Sequence, residues 1–405
     1  MPEAVIVAAA RSPIGRARKG SLVSIRPDDL AGQMIGAALE QAPGLDPATI
    51  DDLQLGCAIP EGYQGGNLAR TVAIRLGLDT VPGATVTRFC ASSIQTTRTA
   101  FHAIRAGEAH TVISAGVESI SMSSGKLMEE DDRDPLFRDA WERTDKRASR
   151  EIPAPWHDPR EDGDLPDPYI LMGQTAENVA ELRGITREAQ DEYAVRSQNR
   201  AEAAVASGFF DRDITPVTLP DGTVVSADDS PRAGVTYESV SQLDPVFRPD
   251  GTITAGNCCP LNDGAAALVV MSDERARELG LTPLARVVST GVSGLSPEIM
   301  GLGPVEATRR ALGLAGMSIG DIDLVELNEA FAAQVIPSAD DLGIDHDKLN
   351  VHGGAIALGH PWGQTGARMT TTLIHGLQER DGALGLATLC VGGGQGMALI
   401  LERMS

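Results

Sequence analysis

Four side chains in this sequence have the types and settings that nucleophilic and proton-transfer chemistry needs: Cys90, Asn328, His360 and Cys390. Cys90 stands in Arg88-Phe89-Cys90-Ala91-Ser92-Ser93, between a predicted strand and a predicted helix. There the first N–H groups of the helix can point at the sulfur, and the helix dipole favours a thiolate. A cysteine so placed is a candidate nucleophile, and its plain alternative is a small buried hydrophobe. His360 sits in the glycine-rich run Gly353 to Gly366 and is a candidate base toward Cys90; the alternative is a solvated loop histidine. That run is no phosphate cradle, since no Gly-Lys-Ser/Thr follows. Asn328 opens Asn328-Glu329-Ala330-Phe331-Ala332 after a predicted strand, where open α/β sheets place ligands, or where an asparagine simply caps a helix. Cys390 follows a buried strand and precedes Gly392, Gly393 and Gly394. Glycines there free backbone N–H groups to face a reaction centre, and the thiol is either an acid/base group or a core cysteine. Together these groups suit acyl transfer through a thioester. A Cys-His-Asn hydrolase would use the same residue types.

The elements that must position them alternate. Strands are predicted at 4–10, 52–56, 85–87 and 111–115, with helices at 28–41, 67–77 and 92–106 between them. The last helix carries Ile94, Thr97, Phe101 and Ile104 on one face and stops at Gly107. From 122 to 247 the texture changes. The stretch 123–168 is charged and Pro-rich, helices are predicted at 172–182 and 187–207, and 221–247 reads as irregular. The α/β alternation returns with strands at 286–293, 323–327, 384–389 and 397–402 and helices at 304–315, 331–342 and 364–377. The second part repeats the first in outline, so a duplicated α/β unit is expected. Its divisions are 1–121 plus 248–275 for the first half, 122–247 for an inserted lid-like segment, and 276–405 for the second half.

Composition narrows the partners. The chain has 405 residues with 42% hydrophobic and 22% charged, enough for a large core. Aromatics are 3%, a poor supply for stacking nucleic-acid bases. The 34 basic and 56 acidic residues give a net charge of −22, which repels polyphosphates and anionic lipid overall. An anionic ligand must then meet a local basic group or backbone donors. No apolar run reaches the ~20 residues of a membrane span. Five cysteines with no C-x-x-C pair argue against a disulfide framework or a structural zinc site and suit reduced thiols in a cytoplasm.

Read in order, these blocks resemble the thiolase family over essentially the whole chain. Arg11-Ser12-Pro13-Ile14-Gly15 resembles its N-terminal signature, and Phe89-Cys90-Ala91-Ser92 its nucleophile block. Gly116-Val117-Glu118-Ser119 follows at the expected distance. Met172-Gly173-Gln174-Thr175-Ala176-Glu177-Asn178 resembles the start of its loop-domain core, and Thr254-Ala255-Gly256-Asn257 with Asn262-Asp263-Gly264 its return to the sheet. The blocks at Asn328, His360 and Cys390 complete the set. The resemblance implies two similar βαβαβαββ halves in a five-layer α-β-α-β-α arrangement with an inserted loop domain, and a homodimer or homotetramer. It implies CoA-dependent cleavage or synthesis of a 3-oxoacyl-CoA, of the acetoacetyl-CoA type first, with no metal or prosthetic group. By the same resemblance Cys90 is acylated, His360 activates it, Cys390 exchanges a proton with the acetyl carbanion, and Asn328 fixes a water in one oxyanion hole. The N–H groups of Cys90 and Gly392 form the other. Arg232 and Ser239 fall near the adenosine-phosphate end of CoA, Phe247 and Cys259 near the pantetheine, and Met172 and Met300 along the acyl pocket.

The sequence also departs from the family pattern. Ser93 stands in place of the usual glycine, Leu171 in place of a common histidine, and Cys258-Cys259 in place of a small residue and serine. Trp362 is large beside His360 and is expected to narrow or cover the substrate entrance. The stretch 123–168 is longer than in compact acetoacetyl-CoA thiolases. Two relatives of the same fold class compete. A ketoacyl synthase-like condensing enzyme would carry a second histidine in place of the Cys390 chemistry. A silent lipid-binding paralogue would usually have lost Cys90, His360 or Cys390.

Overall fold

A computed structural model describes residues 1–123, 130–152 and 154–405; residues 124–129 and 153 of the charged stretch lie outside the described residues. The main strands are β1 (Ala4–Arg11), β2 (Asp52–Gly56), β3 (Gly83–Val86), β4 (Thr111–Ser119), β5 (Asn262–Ser272), β6 (Ala285–Gly294), β7 (Leu324–Leu327), β8 (Leu384–Val391) and β9 (Gln395–Arg403). The main helices are α1 (Pro27–Glu40), α2 (Leu68–Arg75), α3 (Ser92–Ala106), α4 (Arg138–Ala148), α5 (Met172–Arg183), α6 (Arg187–Ala206), α7 (Gly303–Ala315), α8 (Ala332–Leu342) and α9 (Trp362–Glu379).

The strands run β7-β8-β9-β6-β1-β5-β4-β2-β3. Two half-sheets meet at β1 and β6, where only Val5 with Arg286 and Ile6 with Ala285 pair. Each half follows the same plan. Its first strand is β1 or β6, its second and fourth pair in parallel, and its fifth runs antiparallel between the fourth and the first. The third strand is β3 in the first half and a single parallel bridge, Val325 to Leu349, in the second. Three apolar cores separate the layers. In β1, Val5 and Val7 face the core under α1 and α2, while Ala4 and Ile6 face the core around α3 and α9. In β9, Leu399 and Leu401 face that same middle core, while Ala398 and Ile400 face the core under α7 and α8. The order is therefore helices, sheet, helices, sheet, helices, five layers as expected. Strands covered on both faces are continuously apolar, which is why β1 and β5 show no polar alternation.

Some elements differ from their predicted bounds. β4 runs on past Gly116 to Ser119, because it pairs with β5 as far as Asp263 and carries Glu118 into the interior. α9 starts two residues earlier than predicted, so Trp362 lies in its first turn. The charged stretch contains α4, unpredicted because its packed side is held largely by ion pairs. Arg143 contacts Glu298, and Trp156 Nε1 nearby donates to the same carboxylate at 2.6 Å. The segment 221–247 forms half of a short hairpin and one helical turn, Tyr237–Val240. Arg11 of the N-terminal signature is fully buried and pairs with Asp213 at 2.7 Å and Asp228 at 2.6 Å. Asp213 also accepts from Thr372 of α9 at 3.2 Å. One arginine thereby ties β1 to the inserted segment and to the second half. No described helix is long and apolar enough to cross a membrane.

Candidate active site

Cys90 lies in a single 3-10 turn, Phe89–Ala91, between β3 and α3. Ser92 closes the turn, its hydroxyl donating to Phe89 O at 2.7 Å and accepting from Arg88 N–H at 3.0 Å. Phe89 pays for the tight turn with φ of 44°, a left-handed conformation rare outside glycine. The N–H groups aimed at the Cys90 sulfur are those of Gly392 and of Cys90 itself, not the first turn of α3. Burial dominates these donors and pushes the thiol up to about 12, with Glu118 adding to the rise. The dipole's preference for a thiolate does not decide the resting state, because desolvation is the larger effect. The Ser93 departure is absorbed locally. Its hydroxyl accepts from Ala367 N–H of α9 at 2.9 Å, and Gly366 leaves room beside it.

His360 is 2% exposed, so the solvated-loop alternative falls. Its backbone N–H donates to Asn262 Oδ1 at 3.0 Å, its Nδ1 is 2.7 Å from Thr365 Oγ1, and its Nε2 is 3.2 Å from Asn328 Nδ2. Burial, then Arg368, push the imidazole down to about 3, so it is neutral. Asn328 does not cap α8, whose N-cap is Phe331. Its Oδ1 is buried with no hydrogen-bond partner within the chain.

Cys390 is fully buried at the end of β8, and burial and Cys90 raise its thiol. Burial raises the Cys259 thiol as well, with Cys258, Cys90 and Cys390 adding to the rise. A methyl on Gly392 would lie 3.5 Å from the Phe89 ring and 3.6 Å from Met172 Sδ. Gly392 thus lies between the nucleophile turn and the start of α5. Met300 is buried in one cluster with Phe331 and Cys390, against which Met172, Phe247, Cys258 and Cys259 pack. Phe247 also lies edge-on to Phe331, centroids 6.3 Å apart. The second thiol and the residues assigned to the pantetheine and acyl groups therefore share one apolar neighbourhood, while Cys90 sits in the middle core and meets it through the Gly392 N–H.

Arg232, Ser239 and Trp362 stand apart from that cluster. Arg232 is exposed, and its backbone N–H donates to Gln198 Oε1. Ser239 is exposed, and its hydroxyl donates to Thr236 O in a capping box. Trp362 is half-buried against the middle core, where Phe89 also packs. Leu171 is 65% exposed just before α5. Two buried carboxylates had no role in the sequence reading. Glu118 accepts from the N–H groups of Ala58, Ile59 and Gly363 and from Gln64, which fixes the start of α9 against the first half. Glu329 accepts from Tyr193, Ser197, Asn350 and Ile356 N–H, which braces the loop leading to His360. Their signal was an acidic residue just past a predicted buried strand, Glu118 after 111–115 and Glu329 after 323–327. Among the described residues, no group of three or more His, Cys, Asp or Glu is arranged to hold a metal ion.

Comparison with known proteins bears on this arrangement. The family model "Thiolase, N-terminal domain" matches residues 4–274, and "Thiolase, C-terminal domain" matches 281–403. The chain is 43% identical to the 3-ketoacyl-CoA thiolase of Bacillus subtilis (strain 168), over 99% of this chain and 100% of that protein. It superposes on the crystal structure of the Bacillus anthracis acetyl-CoA acetyltransferase with a TM-score of 0.87 and 42% identity, covering 100% and 99% of the two chains. It superposes on human mitochondrial 3-ketoacyl-CoA thiolase in complex with CoA with a TM-score of 0.85 and 35% identity, covering 100% and 98%. With both halves matched in sequence and the five-layer fold shared, the chain belongs to the thiolase family.

Proposed function

We propose that this thiolase cleaves and forms 3-oxoacyl-CoA thioesters through an S-acyl-Cys90 intermediate, with acetoacetyl-CoA as the first substrate to test. The observation that carries this reading is the buried meeting of Cys90, Cys390 and the Gly392 N–H in a chain 43% identical to a 3-ketoacyl-CoA thiolase. In the cleavage direction, Cys90 Sγ attacks the 3-oxo carbon while its proton passes to His360 Nε2. The C2–C3 bond breaks, and the acetyl-CoA enolate takes a proton from Cys390. Cys390 then accepts the proton of incoming CoA, whose sulfur attacks the acyl group on Cys90. The departing Cys90 sulfur recovers its proton from His360, and every group returns to its starting state.

The site's electrostatics shape this sequence. With the thiol pushed up to about 12 and the imidazole down to about 3, a free ion pair is disfavoured at rest. Proton transfer is therefore tied to carbon–sulfur bond formation, when the developing oxyanion can meet preorganised donors. The N–H groups of Cys90 and Gly392 serve one oxyanion, and His360 with a water on Asn328 Oδ1 serves the other. Met172, Met300, Phe247 and Cys259 line the acyl and pantetheine path, and Arg232 and Ser239 meet the nucleotide end of CoA. The reaction needs no metal or prosthetic group. The working form is a homodimer or homotetramer in the cytoplasm. The open edge at β3 supports association, because an unpaired strand invites another.

The test is thiolysis of acetoacetyl-CoA and of a longer 3-oxoacyl-CoA with added CoA. Wild type is expected to turn over at least one, and Cys90→Ala neither. No turnover of either by a folded wild type would overturn the reading.

A further inference from the structure

We propose that Thr365 is a positioning residue that sets the tautomer of His360, holding the proton on Nδ1 and keeping Nε2 unprotonated as the accepting nitrogen. This rests on the reading of His360 as the base toward Cys90. Thr365 Oγ1 lies 2.7 Å from Pro361 O and 2.7 Å from His360 Nδ1, and both residues are almost completely buried. A hydroxyl has one proton to donate. Pro361 O can only accept, so a hydrogen bond to it consumes that proton. The contact with Nδ1 is then a hydrogen bond only if Nδ1 carries its own proton and the hydroxyl oxygen accepts it.

The other end of the ring imposes the same choice. Asn328 Nδ2 lies 3.2 Å from Nε2, and an amide N–H facing Nε2 requires a lone pair there. A second proton on the ring is disfavoured by the buried setting and by nearby Arg368. Two independent neighbours thus select the tautomer whose Nε2 can take a proton from Cys90. The backbone adds rigidity. His360 N–H is held by Asn262 Oδ1, whose own amide donates to Gly15 O at 3.0 Å. Thr365 lies in the first turns of α9 and touches no reacting atom, so it acts through His360 alone. The arrangement parallels the buried carboxylate that orients histidine in other nucleophilic sites, with a neutral hydroxyl and carbonyl in its place.

The experiment combines spectroscopy and kinetics on the full chain. Protein with ¹⁵N-labelled histidine side chains is compared with His360→Asn to assign the His360 signals. The expected spectrum shows a pyrrole-type Nδ1 and a pyridine-type Nε2; the reverse pattern, which requires the Asn328 amide turned over, overturns the proposal. Thr365→Val removes the hydroxyl at nearly constant volume. It is expected to lower kcat for thiolysis about 10²-fold, the scale of a misaligned general base, with KM for CoA unchanged. Thr365→Ser is expected to recover most of kcat and the wild-type spectrum. A valine variant within threefold of wild type would sink the idea. The wild-type spectrum needs no substrate, so the tautomer stands or falls independently of which thioester is turned over. Wild-type turnover together with an unaffected valine variant would remove this inference and leave the proposed function intact.

Discussion

Cys90 is held by opposing forces of unequal size. Two N–H groups favour its thiolate, while burial favours the thiol and prevails, so the group stays protonated near neutrality. The thiolate is the reactive form, and below the pKa its fraction rises tenfold per pH unit. Alkylation of Cys90 by iodoacetamide, followed by peptide mass spectrometry, is therefore expected to climb about tenfold per unit from pH 7 to 10 without levelling. A plateau near pH 7 would show a preformed thiolate–imidazolium pair instead. The same weighing explains why a cysteine at the head of a helix is not automatically activated. Dipole effects of about 1 kcal/mol cannot offset full desolvation, which moves pKa values by several units.

At the level of elements, the site depends on how closely α3 and α9 approach β4 and each other. A Cβ on Gly363 would come within 2.2 Å of Val117 O, and one on Gly116 within 2.1 Å of Gly363 O. Gly359 is needed for a different reason. Its φ is 113°, and a Cβ there would lie 2.6 Å from Ile14 and 2.7 Å from Asn262. Gly359→Ala is expected to lower stability by about 1–3 kcal/mol and to reduce kcat by displacing His360; thermal melts and thiolysis rates measure both. An unchanged melting temperature would show that the turn relaxes freely. Trp362 belongs to this scale too, since it begins the helix that His360 precedes. Trp362→Leu is expected to shift thiolysis toward longer or bulkier 3-oxoacyl-CoA substrates, and an identical chain-length profile would show that the indole does not bound the entrance.

For the whole molecule, the decisive contacts are buried charges that join segments far apart in the chain. Arg11 joins β1, the inserted segment and, through Asp213, α9. Removing one member of a buried ion pair costs about 3–5 kcal/mol because its partners stay buried and uncompensated. Arg11→Met is accordingly expected to lower the denaturation midpoint sharply while sparing side chains that touch substrate. A midpoint within error of wild type would show that Asp213 and Asp228 find other partners or water. Glu298 does similar work between α4 and the loop that carries Met300. The long charged stretch thus braces one side of the cluster around Met300, Phe331 and Cys390.

The sequence by itself determined the alternation of elements, the duplicated plan and the turns that present Cys90, Asn328, His360 and Cys390. These follow from local periodicity, from glycine stops such as Gly107, and from strands whose unbroken apolar runs announce two covered faces. It also displayed the ordered blocks by which the family can be read. It could not show where β4 ends, since that is set by pairing with β5, or that α4 exists, since its packed face is charged. Protonation was equally out of reach. The states of Cys90 and His360 depend on burial and on groups brought from both halves, among them the Gly392 N–H and the charges of Glu118 and Arg368. The tertiary structure alone decided these points, because a side chain's dielectric surroundings and hydrogen-bond partners are properties of its neighbours in space, and local sequence constrains only its neighbours along the chain.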